Sequence, residues 1–213
     1  VNQPVHINRA LRKAGYIQVK DELGLETLDA GTSGAFAVAD HQLAHVYVNK
    51  PEELAKVKKL LSALPGVEKV LDKQEQEAYR LNHDRSGDLV AVADKDSWFT
   101  YYYWLDDKVA PDYARTVDIH RKPGYDPVEM FANPDIKFLK GKLGWTLLKK
   151  KLGFRYLMDV IPLKAELVKG SHGRIPEDKA DWPVLIGGKQ AVENEDVAPT
   201  DVYSVIYGIV NRK

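Results

Sequence analysis

Residues 35–71 constrain the fold more than any other stretch. They read AFAVADHQLAHVYVNKPEELAKVKKLLSALPGVEKVL. Residues 35–39 and 44–48 are almost wholly apolar short runs and read as strand material. Pro51 suits a first helical turn, and Leu54, Val57, Leu60, Leu61 and Leu64 then recur at helical spacing. GVEKVL reads as a further strand. Strand, helix and strand with short connections make a β-α-β unit, whose crossover is expected to be right-handed. The chain is therefore expected to be α/β, with residues 35–80 forming a small α+β excursion that ends in a polar helix, KQEQEAYRL.

On either side of this unit the pattern continues. Ile7, Ala10, Leu11 and Ala14 share a helical face with Gly15 as a stop, which predicts a helix over 5–14 leading into a strand at Tyr16–Val19. GDLVAVAD is apolar almost throughout and reads as a buried strand where the main sheet resumes. WFTYYYW reads as another strand, whose aromatics suit either a buried sheet face or a stacked base. Pro, Gly and Asp make 105–134 mostly loop, with a turn of helix at Pro127–Phe131. KFLKGKLGWTLLKKKLG predicts a helix, either packed on the body through Leu139, Leu143, Leu147 and Leu148 or lying on an anionic surface. WPVLIGG predicts a final strand. APTDVYSVIYGIV predicts a helix capped by Thr200, with Val202, Val205, Ile206, Ile209 and Val210 facing the core.

Composition closes off several functions. Lys plus Arg and Asp plus Glu both number 31 in 213 residues, so no extended basic surface is implied and no nucleic acid polymer is expected as a partner. The chain has no cysteine, which excludes a disulfide scaffold, a thiolate zinc site and a cysteine nucleophile, and it favours a reducing compartment. Any metal must be held by His and carboxylate. No apolar run approaches the roughly 20 residues of a membrane span, and no signal peptide is evident, so a cytoplasmic location is expected. The sequence starts at Val1 and enters its first helix with hardly any lead, which is read as a piece of a longer protein.

Two short stretches concentrate the side chains suited to chemistry. KGSHGR sets His172 between Gly170 and Gly173. This is a plain turn, or a place where a ligand or ion comes close to an imidazole. DIHRKPGYDP gathers Asp118, His120, Arg121, Lys122, Tyr125 and Asp126 around a Pro-Gly turn. Such a stretch is either a charged surface turn or a site with ligands for zinc and cations for phosphate. Asp84, Arg85 and Asp88 in HDRSGD are secondary candidates at a strand mouth. His41 and His45 are four apart, but in strands that spacing puts them roughly 13 Å from each other, so they are not expected to share a metal. His6 is expected on the surface of the first helix.

HDRSGDLVAVAD, DIHRKPGYDP, KGSHGR followed by PVLIG, and VAPTDVYSVIYGIV, taken in this order, resemble the C-terminal half of the alkaline phosphatase superfamily, in its bacterial type I phosphodiesterase/nucleotide pyrophosphatase branch. The resemblance covers nearly the whole chain. It implies a partial alkaline-phosphatase-like layered sheet built from 1–34 and 81–213, with 35–80 as a sub-domain. It implies a zinc-ligand role for His172, and His120 as a second ligand or substrate contact. Arg121, Lys122 and Tyr125 are then expected at a phosphate ester or nucleotide substrate. The family's Thr or Ser nucleophile, its acidic ligands and its Asp-His-Gly motif are not in this sequence. No catalytic residue is therefore assigned here. The two zinc ions of the parent are expected to be absent or partly bound, and the chain alone to be inactive, with self-association or pairing with the missing N-terminal half. The alternative is a non-catalytic binding or interaction domain on the same scaffold.

Overall fold

The computed structural model describes residues 1–187 and 196–211. The chain divides into two compact units, Val1–Arg174 and Ile175–Lys213.

The larger unit is built around an antiparallel sheet of β4 (Ala35–Asp40), β5 (Leu43–Val48), β6 (Val67–Leu71) and β7 (Leu89–Ala93), in the order β4-β5-β7-β6. Alternation along β4 buries Ala35, Ala37 and Ala39, and α2 (Leu54–Ser62) presses Val57 and Leu61 into the same core. Burial of an aliphatic side chain of that size is worth about 1.5–3 kcal/mol. The predicted β-α-β unit is present in split form. β5 and β6 both run antiparallel to β7, so they are parallel to each other with β7 between them. GDLVAVAD is thus the inner strand of this sheet and not the resumption of another. Its nearly unbroken apolar sequence fits a place between two strands.

A second layer holds the chain's start. β1 (Gln3–Val5) pairs in parallel with β8 (Ser97–Phe99). Helix α1 (Ile7–Lys13) buries Ile7, Asn8 and Leu11. Asn8 fixes it to β4: its amide donates to the Ala37 carbonyl, and its carbonyl oxygen accepts the Ala37 N–H, each at 2.8 Å. The strand expected at Tyr16–Val19 starts at its last residue instead. β2 (Val19–Glu22) and β3 (Leu25–Leu28) form a hairpin whose turn, Leu23-Gly24, has positive φ at both residues, as a tight hairpin requires. After β8 the chain stays extended and buried, so Trp98, Phe99, Tyr101, Tyr102, Tyr103 and Trp104 are core residues with no face free for a base.

Helix α3 (Lys73–Glu77) and the helical turn at Pro127–Met130 lie where the sequence places them. Helix α4 (Leu139–Lys151) forms, but it buries only Thr146. Trp145, Leu147 and Leu148 remain exposed, because its apolar residues spread around the helix and do not form one stripe.

In the smaller unit, 182–187 form no strand, and Val184 and Ile186 are exposed. A strand needs a hydrogen-bonded neighbour, and none pairs with this stretch among the described residues. Gly188, the end of the predicted strand, lies outside them. Helix α5 (Val202–Val210) is present, but Thr200 lies in the 3-10 turn Pro199–Asp201 before it, and Asp201 holds the cap position without a side-chain bond. None of the α5 residues is fully buried, and of the expected stripe Ile206, Ile209 and Val210 are exposed.

Candidate functional site

Three segments of the larger unit converge at the tip of the β4-β5 hairpin. Asp40 pairs with Leu43, leaving His41 and Gln42 as the turn, with His41 in the left-handed region at φ 56°. The second segment, 118–126, is held down at Gly124 (φ 123°), where a Cβ would stand 2.2 Å from the Ala39 carbonyl oxygen. The next residue donates its N–H to the same carbonyl at 2.8 Å, and its ring, Tyr125, stacks on His41 with centroids 4.8 Å apart. The third segment is KGSHGR. The Gln42 N–H donates to the His172 carbonyl at 2.9 Å, and Gly173 (φ 112°) packs against Gln42 and Leu43. The His172 ring then lies 3.9 Å, centroid to centroid, from His41. Ser171 Oγ sits 3.3 Å from His41 Nδ1.

Of the glycines flanking His172, only Gly173 is demanded by its backbone. It sits at positive φ, whereas a Cβ on Gly170 would meet open space.

The electrostatics separate these side chains into two groups. His41 is held below the ordinary imidazole range, first by burial and then by the neighbouring His172, while Asp40 opposes both. His172 itself is exposed. In the adjoining loop the Lys122 ammonium is fully buried, 2.9 Å from Asp126 and 2.6 Å from Glu129. Burial pushes the Asp126 carboxyl up, against the pull of Lys122.

Arg121 reaches Asp112 at 2.8 Å and lies over the Tyr113 ring. His120 is exposed at the turn and makes no hydrogen bond or ring contact among the described residues. Of the residues singled out in the sequence, the fold brings His172 and Tyr125 each against the His41 ring. Lys122 was expected to meet phosphate as a free cation, yet it is already neutralised inside the loop. Arg121 is likewise engaged by carboxylates.

The remaining candidates serve the framework. His45 Nδ1 accepts the Gly87 N–H, Asp88 accepts the Val48 N–H, and the Arg85 carbonyl accepts the Tyr47 hydroxyl. His6 faces inward and not outward, with Nδ1 2.8 Å from Thr100 Oγ1. Sequence reasoning weighed His41 only as a partner of His45 and did not foresee its meeting with His172. The signal was the short gap between two strand-like runs, 35–39 and 44–48, which puts His41 in the connection and not within a strand.

An exposed imidazole such as His172 suits zinc as one ligand. Among the described residues no group of three or more His, Asp or Glu side chains gathers around it to complete a shell.

Residues 1–126 match the family model of type I phosphodiesterase / nucleotide pyrophosphatase. The chain belongs to that family. The matched region includes the hairpin tip and Tyr125, while His172 lies beyond it. A phosphonoacetate hydrolase from Sinorhizobium meliloti 1021, solved in complex with phosphonoacetate, is a structural neighbour at 18% identity and a TM-score of 0.34. The overlap covers 47% of this chain and 24% of that one, so the chain spans about a quarter of that neighbour's length. No curated protein matches. No helix among the described residues is long and apolar enough to cross a membrane.

Proposed function

We propose that these residues are part of a metal-dependent phosphoric ester hydrolase and supply the imidazole side of its site, with His172 as a zinc ligand. The observation that carries the proposal is the convergence at the β4-β5 tip, where an exposed His172 and Tyr125 arrive from distant parts of a family member's chain. Zinc, when bound, supplies Lewis acidity toward a phosphoryl oxygen. This chain's own part is more limited. The loop 169–174 presents the imidazole, and Tyr125, stacked on His41 and partly exposed, offers a hydroxyl and a ring face to a phosphate ester or nucleotide. Arg121 would join only by releasing Asp112. His120, on the exposed turn, is the remaining imidazole able to swing toward the substrate or a second ion.

The motifs that the resemblance implies for the family's nucleophile and acidic ligands do not occur in this sequence. The proposal therefore assigns them to another part of the protein and expects no turnover from this chain alone. Pairing with that part, or self-association, would cover the apolar side chains that α4 exposes.

The test is zinc content and rate on a nitrophenyl phosphodiester for the full-length protein and its His172→Ala variant. We expect most of one zinc equivalent to be lost and the rate to fall by at least about a hundredfold, since the ion is worth several kcal/mol. Unchanged zinc content and rate would return KGSHGR to a structural turn.

A further inference from the structure

We infer that His41 is a positioning residue for His172, so that the hairpin tip, as well as the loop carrying His172, decides which way that imidazole faces. The inference rests on the reading of His172 as a ligand.

Geometry separates positioning from shared ligation. With a Zn–N distance of about 2.0–2.1 Å, two imidazoles on one tetrahedral ion hold their ring centroids roughly 5 Å apart. Here the centroids are 3.9 Å apart with the planes 35° from parallel, which is ring-on-ring contact. His41 cannot share His172's ion in this arrangement, but it can orient the ring. His41 is itself constrained by the Tyr125 ring at 4.8 Å, by Ser171 at its Nδ1 and by the Phe99 N–H, which donates to its carbonyl at 2.7 Å.

The backbone adds a second tie between the two residues, since the Gln42 N–H holds the His172 carbonyl. His41 also keeps a positive φ that most side chains avoid. The two-residue hairpin turn requires that conformation, so the turn itself fixes where the His41 ring leaves the backbone. The side chain that results is a buried ring against an exposed one, so that the fixed ring limits how the exposed one can turn.

The experiment uses the 213-residue chain with labelled histidine rings, read by NMR, and zinc ion alone as the probe. In the metal-free chain, His41→Ala should shift and broaden the His172 ring resonances. His41→Phe, which keeps an aromatic ring but no nitrogen, should restore them. His41→Asn, suited to the left-handed backbone, should behave as His41→Ala while leaving the Trp98 indole resonance of the core unmoved. On titration, zinc should perturb the His172 resonances only at higher concentration in His41→Ala than in the wild type, with His41→Phe close to wild type. His172 resonances in His41→Ala and His41→Asn that superimpose on the wild type would overturn the inference. If zinc moves no His172 resonance in the wild type, the ligand reading fails, and the metal-free comparison still decides whether His41 positions the ring.

Discussion

His6 shows at the scale of one residue how packing alters an acid–base equilibrium. Its ring stacks near Tyr102, its Nδ1 meets Thr100, and burial followed by the Arg9 charge lowers its pKa from 6.5 to about 4. The folded state therefore binds this proton less readily than the unfolded chain. The stability His6 contributes is complete above pH 6.5 and is lost as pH falls toward 4. At 1.36 kcal/mol per unit the loss is roughly 3 kcal/mol. Denaturant titrations at pH 7, 5.5 and 4 should show it, and His6→Gln should flatten the dependence in that window. An undiminished slope in the variant would assign the acid sensitivity to other groups. The sequence places His6 at the start of a helix, and α1 does begin there. Which way the ring points depended on Thr100 and Tyr102, far along the chain, and local periodicity carries no record of them.

The loop 118–131 behaves as an element in its own right, organised around a buried cation. Lys122, Asp126 and Glu129 enclose their charges together, and Gly124 and Tyr125 ride on the same turn against β4. Lys122→Met leaves two buried carboxylates without a counter-charge and should destabilise the protein by about 3–5 kcal/mol. Adding Asp126→Leu and Glu129→Leu should recover much of that, because the penalty comes from the unpaired charge and not from the missing side chain. Thermal melts of the three proteins check both statements. Elements whose own residues carry the signal, the apolar runs of β4 and β5 and the leucine stripe of α2, were legible for that reason. The loop's chemistry was legible only as composition. Arg121 and Lys122 read as cations for a substrate, and their carboxylate partners claimed them once the turn had closed. Helix α4 was legible as a helix, while the fate of its leucines depends on surfaces that the helix sequence does not encode.

Across the whole molecule, apolar side chains in α4 and just before and after it remain uncovered: Phe138, Trp145, Leu148, Leu152 and Phe154 are all exposed. Exposed patches of this kind drive association. Light scattering over a concentration series should show self-association of this chain, reduced by Trp145→Glu with Leu148→Glu. A strictly monomeric wild type would exclude it. The candidate site was half legible on this scale: KGSHGR and DIHRKPGYDP stand out as strings, but their meeting at His41 is a product of topology. That meeting also has a consequence in time. His41 and Ser171 are 130 positions apart, whereas the strands of the central sheet all lie within residues 35–93. The entropy of closing a loop grows with its length, by about 0.6 kcal/mol for each doubling, so the sheet can close on itself well before the imidazoles meet. Refolding should therefore restore the sheet's protection from hydrogen exchange in an early phase and the His41–His172 contact in a later one. Partial unfolding should take them in the reverse order, dismantling the site while the sheet beneath it still stands.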